Sequence, residues 1–533
     1  MSQDKNSGKN NNQFNFMHWS FTAAQKTMHE HGEQELYTCA SGVTPSGVIH
    51  IGNFREIITV DLVRRAFKIL GKKVRHLHSW DSYDVFRKIP SNMPQPEVLE
   101  KHLRMSIVDT PDTTNSATNY AEKNLKDVEN ILPEVGIFPE YKYQAELYKQ
   151  CFYAENIKKA LENTDKIKAI LNEHRKEPLS DIWLPTSIFC DSCKKDTITK
   201  QEWKGDYELY YECECGHKEA VDFREKGIVK LLWRVDWPMR WSVEKVHFEP
   251  GGKDHSSPGS SYTTGKEIVK QVWDRNAPTY IMYDFISIKG RGGKISSSSG
   301  EVVTLKDCLE IYQPEIIRFL FAGTRPNTEF AISFDLDVNK IYEDYDKSER
   351  IYYGLETVND KEKEKNKWIY ELSQVDEDNI LKESPNQISF KEITQVLCVK
   401  DMDEQNTFEY FDSKVKEAYK QRLMTRIACA KNWLEKYADD NFKFKINKEK
   451  NQDFFSTLNE KQIRALDKLK EIINQEDEPK IMEEKIFNIP KELGMDMKDF
   501  FRICYQAIIS RDKGPKLAGF IMEIGKERLN KIL

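Results

Sequence analysis

Thr44-Pro45-Ser46-Gly47-Val48-Ile49-His50-Ile51-Gly52-Asn53 joins a strand-like run, Leu36 to Ala40, to a stretch with helical periodicity. Apolar residues recur there at Ile58, Leu62, Val63, Ala66, Phe67 and Leu70, one stripe of an amphipathic helix. Gly71 closes that helix, and Lys72 and Lys73 stand at its negative end. A strand, a Gly-containing loop and a helix start make an anion site, because the first backbone N–H groups of a helix have no partner within it. His50 and Asn53 add side-chain donors beside those groups. The pattern predicts a site for a nucleotide phosphate. It is neither G-x-x-x-x-G-K-[ST] nor G-x-G-x-x-G, so kinase, GTPase and dinucleotide-binding readings lack their motif.

A second segment, Lys289-Gly290-Arg291-Gly292-Gly293-Lys294-Ile295-Ser296-Ser297-Ser298-Ser299-Gly300, is basic and rich in glycine and hydroxyls. It follows a strand-like run, Tyr280 to Ile288, and precedes a helical one, Leu305 to Tyr312. The first segment resembles the HIGH motif of class I aminoacyl-tRNA synthetases, with Asn53 in place of the last His. The second resembles their KMSKS motif as Lys294 to Ser298, with Ser297 where the second Lys usually stands. Further runs are similar to class I lysyl-tRNA synthetases: Ser79-Trp80-Asp81-Ser82-Tyr83-Asp84, Arg234 to Trp241, Phe248 to His255, and the ending Gly514 to Phe520. The resemblance extends from about Leu36 to the C-terminus and is strongest up to Gly354.

The resemblance implies an α/β fold: a Rossmann-type parallel-sheet catalytic domain with a zinc-ribbon-containing insertion, followed by an all-α C-terminal anticodon-binding region. It implies a lysine–tRNA ligase that activates lysine with ATP and transfers it to the terminal adenosine of tRNA-Lys. The glutamyl, arginyl and cysteinyl enzymes are the nearest rivals, and a stand-alone nucleotidyltransferase without tRNA is a further alternative. The implied division is a disordered tail at 1–16, Rossmann halves at 17–150 and 228–334, an insertion at 151–227, a connector at 335–405 and a helical anticodon-binding domain at 406–533.

Site residues follow from the same resemblance and from the chemistry of amino-acid activation. His50, Asn53, Lys294, Ser296, Ser297 and Ser298 are expected to act on the triphosphate, where positioning and fixed positive charge matter more than covalent chemistry. Pro45, Gly47, Gly52, Gly252, Asp254 and Lys294 are expected around ATP, with Mg2+ held mainly by phosphate oxygens and water. Lysine needs acids for its ammonium groups and an apolar wall for its methylenes. Gly42, Thr44, Asp81, Asp84, Trp233, His255 and Tyr283 are assigned to that slot.

Ten cysteines include one cluster, Cys190-x2-Cys193, nineteen residues, then Cys213-x-Cys215. Thiolates in two close pairs suit tetrahedral zinc, and four protein ligands leave no open position, so one structural Zn2+ is expected. The resemblance also implies, in some members, a second metal site early in the catalytic domain. Ser116 and Ala117 stand here where a Cys and a His would be needed.

The net charge of −6 over 533 residues argues against a generic nucleic-acid coat protein, which would be basic. Local basic runs, Lys443 to Lys448 and Arg511 to Lys516, remain compatible with a tRNA partner. No run of 18 apolar residues occurs, and Met1 to Asn15 lacks the apolar core of a signal peptide. A cytoplasmic protein with no membrane and no DNA partner is expected.

Overall fold

The computed structural model describes residues 18–91, 93–289 and 302–533. Lys294, Ser296, Ser297 and Ser298, and the tail expected at 1–16, therefore lie outside the described residues. The chain divides into two units that are interleaved in sequence. The first comprises the chain up to Leu309, Pro314–Ile332 and Ser348–Lys382; the second comprises Glu310–Gln313, Ser333–Lys347 and Glu383–Leu533.

The first unit begins with α1 (Trp19–His31), β1 (Tyr37–Val43), α2 (Ile51–Ile69), β2 (Val74–Trp80), α3 (Tyr120–Ile131) and β3 (Glu140–Tyr143). Helices Ala154–Glu162 and Thr164–Asn172 follow, then β4 (Thr186–Ile188), β5 (Ile198–Gly205), β6 (Glu208–Cys213), β7 (Lys218–Asp222) and β8 (Val229–Leu231). Next come α4 (Trp233–Val243), β9 (Phe248–Gly252), α5 (Ser261–Trp273), β10 (Thr279–Tyr283), β11 (Ile286–Ile288) and β12 (Phe330–Ile332).

The central sheet is parallel throughout and has the order β10-β9-β1-β2-β3. From β1 the chain builds outward through β2 and β3, then returns to the other side of β1 with β9 and β10. Strand order therefore reverses between β1 and β9, which opens a crevice at the carboxyl ends of the strands. The run read as one strand, Tyr280 to Ile288, is instead two: β10 ends at Tyr283, and β11 pairs with β12 in a separate small sheet.

Pleating sends alternate residues of β1 and β2 to opposite faces. Ala40 and Leu77 join an apolar core that includes Tyr148, Ile157, Ile188, Leu209 and Trp241, so the insertion and this face of the sheet share one core. The other face carries a buried polar knot: the Ser41 hydroxyl lies 2.9 Å from His76 Nε2 and 2.7 Å from His78 Nδ1. α2 is anchored by its own acid. Asp61 accepts from Arg65 at 2.9 Å and from the fully buried Arg318 at 2.7 Å, while Arg318 also bonds the carbonyls of Val135 and Leu372. Gly71, at φ +74°, turns the chain out of α2.

The second unit is helical. Its C-terminal part packs helices Glu460–Gln475, Pro479–Glu492, Met497–Ile509, Leu517–Ile524 and Lys526–Ile532 around Leu469, Ile486, Phe500 and Phe520. Helices Glu404–Asp412 and Lys420–Lys436 are separated by Ser413 to Tyr419, and Phe411, Leu423 and Ile427 are buried. The stretch expected as a connector, 335–405, holds helices Asp360–Ser373, in the first unit, and Phe390–Val399, in the second. Each has a side-chain cap that outweighs composition: Asn359 accepts from the Glu362 N–H, and Ser389 from that of Glu392.

Candidate active site

The start of α2 is built around His50. Its Nδ1 accepts the Gly52 N–H at 3.0 Å, and Asn53 Oδ1 accepts the His50 N–H at 3.1 Å, a reciprocal capping box. An Nδ1 that accepts a hydrogen bond places the ring proton on Nε2, so the other edge of the imidazole is a donor. Glycine at residue 52 leaves room for this ring, since a Cβ there would lie 2.8 Å from the His50 ring atoms Cε1 and Nδ1.

The helix start differs from the sequence expectation in one respect. Its first N–H groups are already engaged: Ile51 donates to the Val303 carbonyl at 2.8 Å, Gly52 to the His50 ring, and Asn53 to the His50 carbonyl at 2.9 Å. The donor offered here is the capped imidazole, not a row of open amides. The Ile51–Val303 bond also ties this turn to the chain immediately after the Lys294 segment. On the other side of that segment, Arg55 donates to the carbonyls of Asp284 and Phe285 at 2.8 and 3.0 Å. Both flanks of the second motif are thus pinned to the first turns of α2.

The loop between β1 and α2 is held from α3, where Asn124 donates to the Pro45 carbonyl and Tyr120 to that of Ser46. Gly47 is buried in the same loop. Around the crevice the structure joins the residues assigned to lysine into three linked sets. Gly42 N–H and the Tyr283 hydroxyl meet on one carboxylate, Glu56, at 2.7 and 2.6 Å. The Tyr283 ring lies beside Gly252, where a Cβ would sit 3.6 Å from it. Thr44 donates to Asp84 at 3.1 Å, and the Lys230 ammonium bonds the other Asp84 oxygen at 2.7 Å. Asp81 accepts from Arg240 at 2.5 Å; that guanidinium lies over the Trp233 ring, which stacks on Trp237 beside His255. Asp254 is exposed in the turn after β9.

Sequence reading missed Glu56, Lys230, Asp236, Arg240 and Glu249, which set the charge of this crevice. Arg240 bridges Asp81 and Asp236, and Tyr148 donates to Asp236. Glu249 receives two indole N–H bonds, from Trp237 at 3.0 Å and Trp241 at 2.6 Å. Of the five carboxyl groups here, Asp81 and Asp236 pair with Arg240 and Asp84 with Lys230, while Glu56 and Glu249 are held by neutral donors. Burial pushes Glu56 up to about 8 and Glu249 to about 7, while burial also holds Asp81 above the usual range despite Arg240. Asp84 is also buried, but Lys230 holds it below its ordinary value. The i, i+4 spacing of Asp236 and Arg240, and of Gly52 and Glu56, was the available signal.

In the insertion, Cys190, Cys193, Cys213 and Cys215 place their sulfurs within 4.8 Å of one another. Cys190 and Cys215 are 3.7 Å apart, and Cys193 and Cys213 are 3.6 Å apart. Four sulfurs at ~2.3 Å from a tetrahedral zinc are about 3.8 Å apart, so the donor set fits that ion. These separations exceed a disulfide bond of about 2.05 Å. Asp112, in the stretch considered for a second metal, accepts instead from the backbone N–H groups of Thr114, Ser116 and Ala117 and from the hydroxyls of Thr114 and Ser116.

The parallel sheet and the reversal of its strand order make this a Rossmann-type α/β protein. Residues 17–376 match the family model for class I tRNA synthetases (K), and the chain belongs to that family. It is 48% identical to a lysine–tRNA ligase of Borreliella burgdorferi, over 97% of this chain and 98% of the relative. A lysine–tRNA ligase of Treponema pallidum is 44% identical, with 97% and 98% covered. One from Thermococcus kodakarensis is 38% identical, with 97% and 99% covered.

Proposed function

We propose that the chain is a lysine–tRNA ligase that uses ATP to form lysyl-adenylate and passes the lysyl group to the 3′-terminal adenosine of tRNA-Lys. The observation that carries the site assignment is the pinning of both flanks of the Lys294 segment to the helix that His50 begins. In this reading His50, through its Nε2 proton, and Asn53 meet the triphosphate as charge moves onto the leaving pyrophosphate. Lys294 with Ser296, Ser297 and Ser298 acts on the β- and γ-phosphates. Gly252 and Asp254 border the nucleotide, and Mg2+ enters with ATP.

The acid-rich crevice is suited to a substrate with two ammonium groups and one carboxylate. Asp81 and Asp84, though already paired with Arg240 and Lys230, sit among more negative than positive charge, so a cationic ligand restores the balance. Trp233, His255 and Tyr283 supply the wall. The helical second unit takes the anticodon, whose unpaired bases are read by stacking and at their edges. Zinc on the four cysteines is structural: all four positions are filled by protein, so it serves to hold the ribbon. Among the described residues no helix is long and apolar enough to cross a membrane, and the proposed setting is the cytoplasm.

The test is aminoacylation of total tRNA with each amino acid. Lysine alone should be charged, with release of AMP and pyrophosphate. His50→Ala should cost about 10²–10³ in kcat, as does removal of a comparable transition-state donor. Charging of glutamate or arginine instead of lysine would overturn the substrate assignment, and an unchanged rate in His50→Ala would overturn the site.

A further inference from the structure

Glu56 stands one turn beyond Gly52 on the face of α2 that looks toward the crevice. It does what none of the acids singled out from the sequence does: one carboxylate holds residues from two different strands. Its Oε1 accepts the Gly42 N–H at the end of β1, and its Oε2 accepts the Tyr283 hydroxyl at the end of β10. Both donors are neutral, and among the described residues Glu56 makes no ion pair. Its neighbour Arg55 is committed elsewhere, to the carbonyls of Asp284, Phe285, Arg325 and Thr328. The other charged groups facing Glu56 are Glu249 from β9 and Asp81 after β2, both of the same sign. Tyr283 and Tyr280 of β10 complete its titratable surroundings. A buried carboxylate with two neutral donors and two acidic neighbours is costly unless a cation joins it.

Resting on the lysine-slot reading above, we propose that Glu56 is a specificity-determining, positioning residue: it fixes Gly42 and Tyr283 as walls of the slot and supplies the negative charge that the substrate's ammonium answers. It acts through those two residues and through its field. Its ionisation is therefore coupled to lysine: the bound ammonium favours the charged carboxylate, so lysine binding releases a proton near neutral pH. Since burial pushes the free group up to about 8, the lysine KM should fall as pH rises from 6.5 to 8.5.

The experiment compares wild type, Glu56→Gln, Glu56→Asp and Tyr283→Phe in aminoacylation, with melting temperature and ATP KM as controls. Glu56→Gln should raise the lysine KM about tenfold with kcat within about twofold, the pattern of lost ground-state binding. Its lysine KM should change with pH less than that of wild type, with Glu249 left to titrate in the same window. Its preference for lysine over 2-aminoheptanoate, an inhibitor in which a methyl group replaces the side-chain ammonium, should narrow by about tenfold. Glu56→Asp, which keeps the charge and shortens the reach, should restore the pH dependence and part of the KM. The double variant Glu56→Gln/Tyr283→Phe should be little worse than Glu56→Gln, since residues acting as a unit are not additive. An unchanged lysine KM in folded Glu56→Gln overturns the proposal. Should that variant fail to fold, a lysine KM that is flat from pH 6.5 to 8.5 in wild type overturns it as well. If His50→Ala is inactive while Glu56→Gln behaves as wild type, this inference alone fails. If both behave as wild type, the site reading fails.

Discussion

Arg240→Met tests whether the charges around Asp81 are balanced as described. The guanidinium is 7% exposed at its side chain; Nη1 bonds Asp81 at 2.5 Å and Ser79 at 2.8 Å, and Nη2 lies 3.3 Å from Asp236. Both carboxylates are as buried as the arginine, so solvent screens these contacts little. Methionine fills most of the volume, but leaves two buried carboxylates without their cation. Breaking a buried pair in this way costs about 3–5 kcal/mol, mainly because the remaining charge is stranded. The loss should depend on pH in a defined sense. Burial already holds Asp81 above the unfolded value of about 3.9, and without Arg240 it rises further, so the protein binds a proton on folding. The defect is then largest at pH 8 and shrinks as pH falls through the raised value. Urea unfolding followed by tryptophan fluorescence at pH 8 and pH 5.5 reads both effects, since Trp233, Trp237 and Trp241 lie on the same helix. Adding Asp81→Asn to Arg240→Met should recover part of the loss. A cost below about 1 kcal/mol, or one equal at the two pH values, would mean that Arg240 does not neutralise these buried carboxylates.

Other outcomes follow from the same geometry. Gly52→Ala should displace the His50 imidazole and lower kcat by at least tenfold with a small effect on melting, because the new Cβ would lie 2.8 Å from the ring. Elemental analysis should find one zinc per chain, and none in Cys190→Ser/Cys213→Ser; two per chain, or one that survives the substitution, would place the metal wrongly. Burial holds His76 and His78 at about 3, far below the ordinary value, so they are neutral in the fold. Their contribution is complete above the unfolded pKa of about 6.5 and is lost as pH falls from there toward 3. Melting temperature should therefore drop between pH 7 and pH 5, and less so in His76→Gln/His78→Gln.

The parts of the fold that sequence revealed are those coded locally. The β1–loop–α2 unit shows because apolar periodicity switches from strand to helix across a Gly-containing turn. β2 ends where Trp80 gives way to Asp81 and Ser82, and the cysteine pairs announce their cluster by spacing alone. Glu56, Lys230, Arg240 and Glu249 stayed hidden because what they do depends on which strands become neighbours. Arg240 meets Asp81 across 159 positions, and Tyr283 meets Glu56 across 227. The Val303 carbonyl that occupies the Ile51 N–H belongs to the same category. Helices Asp360–Ser373 and Phe390–Val399 were masked by composition, since acidic, polar stretches suggest loops unless their caps are noticed.

Interleaving of the two units has a consequence for how the chain is made. Leu309 closes the long opening stretch of the first unit, but that unit is complete only with Lys382. At roughly 5–20 residues per second, the ribosome needs on the order of 4–15 s to add the intervening stretch. For the 54 residues between them, Arg318 is already in the chain while Leu372, whose carbonyl receives it, has not been made. Until the second of these emerges, Asp61 and the arginines around it lack part of their lattice. Vectorial synthesis thus leaves the helix layer over Asp61 unfinished for seconds, a window in which a chaperone that shields exposed apolar faces would have its greatest effect on yield.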